Sequence, residues 1–193
     1  VVSLEPNSVN DIWNDIRRVG DALGVTRAAD MLIYGVNQRM KEIARRARAA
    51  GGAPLRVACI EWPEPLMAAG NWMPELIEML GAQSLFGEAG HHSPWMTWRQ
   101  LVDADPDVII VAPCGFDLAR TQSEMFWLDR HPEWRSLRAV AHRRVYLADG
   151  NLYFHRPGPR VAESLQMLAE MLYPEVFPPS LAGAAWRAHP AVE

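Results

Sequence analysis

The chain has 193 residues, 49% hydrophobic and 22% charged, and a formal net charge of −4 at pH 7. That length allows one ordinary domain or slightly more. The acidic balance, without a long basic run, argues against a nucleic-acid partner, and no apolar stretch reaches the roughly 20 residues that span a bilayer.

The opening VVSLEP lacks both a methionine and a signal peptide, so it is expected to begin a processed or trimmed product. VVSL reads as a short strand and EPNS as a turn. Ser8 can cap a helix striped by Val9, Ile12, Ile16, Val19 and Leu23, which Gly24 ends. Thr26 is the expected cap of a second helix reaching Ala50, with Ala29, Leu32, Ile33, Val36, Met40, Ile43 and Ala47 on one side. At about 25 residues it would be about 37 Å long, more than a small domain needs. Its basic face (Arg39, Lys41, Arg45, Arg46, Arg48) reads as solvated surface.

From residue 55 the pattern alternates. LRVACIEW is a strand, MPELIEMLGA a helix, SLF a short strand and TWRQLVDA a helix capped by Thr97. PDVIIVAP is a buried strand, followed by helices in DLARTQSEMFWLDRH and PEWRSLRAV. RRVYLAD is a strand and PRVAESLQMLAEMLYP the closing helix. The tail EVFPPSLAGAAWRAHPAVE, rich in Pro and Ala, is expected to wrap the surface or fray. The fold class is α/β: a single Rossmann-like lobe with a mostly parallel sheet of three or four strands, preceded by a long helix. Segments 1–53, 54–175 and 176–193 form the linker with its long helix, the ligand-binding lobe and the irregular tail.

Ligands of such sheets bind beyond the carboxyl ends of the strands. Those ends, with the loop GHHSPWMTW, hold most of the surplus aromatics: Trp62, Trp72, Trp95, Trp98, Phe116, Tyr153 and Phe154. Eight tryptophans exceed what a core requires, and their clustering in loops suggests a broad apolar binding surface. Phosphate-cradling and hydrolase motifs are absent.

Of the two cysteines, Cys59 and Cys114, neither signals a disulfide. Cys114 opens what reads as a helix and can be a nucleophile, with His91, His92 or His155 as base. It can equally be a small residue lining a pocket. His91 and His92 lack metal-site spacing, although either can ligate a bound metallo-cofactor. Glu61 and Glu64, separated by Pro63, read as a shaped loop and not an acid–base pair. Arg160 ties down a loop or faces an anion, and Arg156 is the better ligand candidate.

The segments VVSLEPNSVNDIWNDIRRVGDALG, EWPEPLMAAGNWMPELIEMLGA, WRQLVDADPDVIIVAPCGFDL and GNLYFHRPGPRVAESLQMLAEML resemble, in order, cobalamin-binding substrate-binding proteins of ABC importers. These are periplasmic proteins of the helical-backbone class. The resemblance implies a connecting helix plus a carboxyl-terminal lobe, the other lobe normally preceding VVSLEP. It implies a non-catalytic role, with cobalamin or another corrinoid carried as ligand and no cofactor required; haem and ferric siderophores are the neighbouring ligands. It points to Trp62, Met67, Trp72, Trp95, Cys114, Phe116, Tyr153 and Arg156 as ligand-binding residues, with Cys114 small so that the wall can approach the ligand. Family members often dock on permease arginines through a glutamate in the 97–104 helix. Arg99 and Gln100 stand there instead, which puts that route in doubt. A lone lobe is expected to self-associate. The competing expectation is a thiol-dependent enzyme using Cys114.

Overall fold

The computed structural model describes residues 1–190. The first helix, α1 (Val9–Ala22), starts where expected. The Ser8 hydroxyl accepts from the Asp11 N–H, and the Asp11 carboxylate reaches back to the Ser8 N–H. Such a capping box satisfies two of the donors left open at a helix start. Residues 1–7 form no strand, contrary to expectation. Val1, Val2 and Leu4 are exposed, and no neighbouring strand takes up their backbone groups.

Helix α2 (Thr26–Ala49) is unbroken. Its cap residue is Val25, and Thr26 instead donates its hydroxyl to the Asp21 carboxylate at 2.6 Å, tying α2 to the end of α1. The basic face is not simply solvated. Arg39 pairs with Glu163 at 2.7 Å, Arg46 donates to the Val176 carbonyl, and Arg48 donates to the carbonyls of Glu78 and Met79. Only the far ends of these side chains are polar, so their stems can lie along the lobe while the guanidinium groups find carbonyls.

The sheet has six strands: β1 (Arg56–Pro63), β2 (Leu66–Ala68), β3 (Gln83–Ser84), β4 (Val108–Val111), β5 (Val145–Ala148) and β6 (Trp186–Ala188), in the order β2-β1-β4-β5-β6. The strand β3 shares the β1 edge with β2: β3 pairs parallel at the start of β1, and β2 pairs antiparallel at its end. The β3–β1–β4–β5 pairings are all parallel. Two antiparallel strands were not expected. β2 folds back from β1 through Glu64 and Pro65, and β6 puts Trp186 of the tail against Ala148 of β5.

Both faces of the sheet are covered. Val57, Cys59, Val108 and Ile110 pack with Ile33, Met40, Leu76 and Leu165. These come from α2, α3 (Met73–Met79) and α8 (Val161–Leu172). Ala58, Ile60, Ile109, Val111 and Leu147 face Leu101, Leu118, Leu128 and Trp134. The second face is covered by α4 (Trp98–Ala104), α5 (Leu118–Glu124), α6 (Phe126–Asp129) and α7 (Arg138–Ala141). The two sets alternate along each strand because successive side chains point to opposite faces. Each fully buried Leu, Ile or Met contributes roughly 1.5–3 kcal/mol relative to exposure.

The helix expected over PEWRSLRAV breaks at Leu137, whose ψ of 135° is extended. Asp105 accounts for the restart: its carboxylate accepts the Arg138 N–H at 2.7 Å. In α4, Thr97 and Gln100 form a second capping box, so the Gln100 carboxamide is engaged at the helix start.

Candidate functional site

The carboxyl ends of β1, β4 and β5 meet on one rim. Past β4 the chain runs Pro113–Cys114–Gly115–Phe116; past β5 it enters a five-residue π turn, Gly150–Phe154. The Cys114 N–H points at the Glu61 carbonyl (3.4 Å), and the Asn151 N–H donates to the Phe116 carbonyl (3.0 Å). Gly150 makes this convergence possible. A Cβ there would stand 2.1 Å from the Pro113 carbonyl oxygen, so only glycine lets the two strand ends come this close. Gly115 has φ +77°, the left-handed turn that swings Phe116 back under the rim.

One wall is apolar. Trp62 and Met67 are partners across the β1–β2 hairpin, and Met67 also bridges to Trp95. Trp95 is 66% exposed. The Trp62 indole donates to the Glu64 carbonyl at 3.0 Å, which fixes its tilt, and its ring centroid lies 5.1 Å from that of Phe116. The Arg120 guanidinium sits 4.0 Å from the Phe116 ring centroid. Phe116 is therefore held from both sides.

The other wall is polar. A cavity of about 480 Å³ is lined by Cys114, Gly115, Asn151, His155, Arg156 and Pro157. Arg156 directs its N–H groups to the Asn151 carbonyl and side-chain oxygen, at 2.9 and 3.0 Å. Behind Cys114 lie Glu61, 8% exposed, and His155, whose Nε2–H donates to the Ala112 carbonyl at 2.7 Å.

Six of the expected ligand residues share this rim: Trp62, Met67, Trp95, Cys114, Phe116 and Arg156. Two are placed differently. Trp72 is 6% exposed and lies within the core beneath α3. Tyr153 is half-buried against the same core, and its carbonyl accepts from the Ser164 hydroxyl. Sequence reading passed over Glu61 as a site residue, although a lone carboxylate at the end of an otherwise apolar strand is the signal that marks it. Arg120 was equally invisible, because its stacking on Phe116 depends on the turn between β4 and α5.

Cys114 is not at a helix start. The first residue of α5 is Leu118, and Asp117 caps it by accepting the Arg120 N–H at 2.8 Å. The thiol pKa is pushed up, first by burial and then by the Glu61 carboxylate, with Arg156 acting weakly the other way. A nucleophilic cysteine needs the opposite shift. Both cysteines are free thiols. His91 and His92 are exposed on the 87–95 loop, bonded to nearby carbonyls.

The site is thus an aromatic rim and a polar cavity beyond the strand ends of a doubly covered α/β lobe. The chain is a member of the periplasmic binding protein family, whose model matches residues 1–152. It is 27% identical over 179 residues to an uncharacterized ABC transporter substrate-binding lipoprotein, YvrC, of Bacillus subtilis, a match covering 90% of this chain and 53% of the relative. The chain thus spans about half the length of that curated relative. Among solved structures, an ABC transporter substrate-binding protein from Listeria monocytogenes superposes with a TM-score of 0.77 at 18% identity, covering 90% of this chain and 67% of that one. The periplasmic heme-binding protein RhuT from Roseiflexus superposes with a TM-score of 0.72 at 22% identity, covering 89% of this chain and 65% of that one. Likenesses at this identity show the fold.

Proposed function

We propose that this chain supplies the carboxyl-terminal lobe and the connecting helix of a substrate-binding component of an ABC importer, acting outside the cytoplasmic membrane without catalysis. Its ligand is a flat, metal-bearing macrocycle, a haem or a corrinoid such as cobalamin. The observation that carries this is the continuous row Trp95–Met67–Trp62–Phe116 beside Arg156. Aromatic and thioether groups suit the faces of a macrocycle, and a guanidinium suits its carboxylate, amide or phosphate edge. The heme-binding relative of the same fold supports the class of ligand. In this reading residues 1–53 link the lobe to the rest of the importer component. Arg99, exposed and paired with Asp103, and the capping Gln100 leave the first turn of α4 without the glutamate that would dock on permease arginines.

The test is titration with hemin, aquocobalamin and a ferric siderophore, following tryptophan fluorescence and the macrocycle's visible absorption. Hemin or cobalamin should quench, and the siderophore should not. Trp95→Ala should weaken the preferred macrocycle by about 2 kcal/mol, roughly thirtyfold, while Tyr34→Ala, exposed on α2, should leave it unchanged. Siderophore binding without macrocycle binding would overturn the choice of ligand. Equal losses in both variants would overturn the rim.

A further inference from the structure

Behind the rim, Glu61, Cys114 and His155 bring a carboxylate oxygen, a thiol sulfur and an imidazole nitrogen within 4.8 Å of one another. They come from three separate strand ends, so the cluster exists only because β1, β4 and the turn after β5 converge. The details of each group are those of a ligand in waiting. The Ala112 carbonyl can only accept, so it fixes the proton of His155 on Nε2 and leaves Nδ1 as the free donor atom. A carbonyl on the far ring nitrogen is the usual way a metal-binding histidine is oriented. Ser93 donates its hydroxyl to Glu61 Oε2 at 2.6 Å and itself accepts the Gly70 N–H at 3.0 Å, holding the carboxylate from behind. Cys114 completes the set from the cavity side.

The charge balance is equally suggestive. Glu61 is 8% exposed and, among the described residues, no lysine or arginine lies within salt-bridge distance of it; His155 Nδ1 lies 3.7 Å from its Oε2. Buried carboxylates are ordinarily paired or coordinate a metal. Arg156, the guanidinium nearest the thiol, is turned to Asn151.

We propose that Glu61, Cys114 and His155 form a site for a divalent transition-metal ion, three-coordinate from the protein and open toward the cavity. A thiolate, an imidazole and a carboxylate favour Zn²⁺, Co²⁺ or Fe²⁺ over the hard ions Mg²⁺ and Ca²⁺. Donors placed tetrahedrally around such an ion stand about 3.3–3.6 Å apart. The 3.7 Å between Glu61 Oε2 and His155 Nδ1 is already close to that, and rotation of the exposed Cys114 side chain closes the rest. On binding, the S–H bond breaks, the sulfur electron pair goes to the metal and one proton leaves to solvent. The fourth position faces the cavity beside Arg156, where an anionic or neutral exogenous group can complete the coordination. Three protein ligands with one open position is the pattern of a working metal site, in contrast to a closed structural one.

The experiment uses the chain as it stands, with the metal alone. Zn²⁺ is titrated against a chromophoric chelator, and Co²⁺ is followed by absorption. One equivalent of Zn²⁺ should bind with release of about one proton in neutral buffer, and Co²⁺ should show a thiolate-to-cobalt charge-transfer band. Cys114→Ser, an exposed position that leaves the fold intact, should abolish that band and weaken Zn²⁺ by at least about tenfold. His155→Gln should weaken it by a similar factor, and Ser93→Ala by less. The double variant His91→Ala, His92→Ala should bind as the parent does. Absence of a saturable one-equivalent site overturns the proposal. So does a cobalt–thiolate band that survives Cys114→Ser, or binding lost in the loop-histidine variant. Because no macrocycle is involved, hemin binding without Zn²⁺ binding would remove this site and leave the proposed function standing.

Discussion

Gly150→Ala is the perturbation that most directly couples fold to site. The added Cβ would lie 2.1 Å from the Pro113 carbonyl oxygen and 2.8 Å from its carbon. Relief requires a backbone shift of about 1 Å at one of the two strand ends. That shift loosens the Asn151 N–H bond to Phe116 and carries the whole π turn, with His155 at its end, away from Cys114. Overpacking of this kind costs roughly 1–3 kcal/mol, a fall in Tm of a few degrees for a chain this size. Gly51→Ala, just past the end of α2 and away from the rim, is the matched control. Its left-handed backbone makes alanine costly by about 1–2 kcal/mol, but nothing lies within 4 Å of the new methyl group. Urea unfolding should therefore show similar losses for the two variants, whereas Zn²⁺ and macrocycle titrations should show loss of binding in Gly150→Ala alone. Unchanged binding in Gly150→Ala, or equal binding losses in both, would refute the claim that close approach of the strand ends builds the site.

Two further outcomes are expected. Glu170, 1% exposed, accepts from Ser180, Trp186, Gln166 and the Leu181 N–H, and so fastens the tail that supplies β6. Burial pushes its pKa up, but the hydrogen bonds outweigh burial and leave it below the ordinary carboxylate value. Its stabilisation is therefore complete above the unfolded pKa of about 4.3 and is lost as pH falls through the lower folded value. Glu170→Ala should cost roughly 3–5 kcal/mol at neutral pH, with the deficit shrinking in acid; a deficit that grows on acidification would contradict the sign. The exposed Leu23, Val25, Met31, Leu32 and Tyr34 on and between α1 and α2 should drive self-association. Sedimentation should show mass rising with concentration and reduced by Met31→Glu, and a clean monomer at high concentration would rule it out.

The strands and the long helices were readable because their patterns are periodic, and two helices carry caps of their own. VIIV is apolar throughout because both its faces are covered, and the Ser8 and Thr97 boxes announce their own helices. What escaped reading is decided by distant partners. The β6 strand exists because Glu170, on a helix well before it in sequence, gathers Trp186 and its neighbours, and nothing within SLAGAAWRAHP signals a strand. The helix break at Leu137 is likewise set from outside, by Asp105, whose carboxylate accepts the N–H of Arg138, 33 residues on. Trp72 illustrates the same limit at the site. A tryptophan in a loop past a strand end reads as rim, but the helix start it precedes turns the indole inward onto the core.

The rim itself follows from a consistent physical division. Residues that could be assigned from type and position, such as Trp62, Met67 and Trp95, are the ones whose backbone is held by strand pairing. Residues whose role depends on protonation or charge, Glu61 and His155, were seen only as a loop carboxylate and a spare base. Their meaning comes from proximity across three strand ends, and proximity is set by Gly150, which as a single letter gives no hint of what approaches it. The apolar wall would survive many substitutions of similar shape. The polar wall would not, because it needs the Ala112 carbonyl, the Ser93 hydroxyl and the missing Cβ of Gly150 together. In the two proposals made above, the polar wall is therefore the part that would hold a metal ion, and the aromatic row the part that would hold a flat ligand.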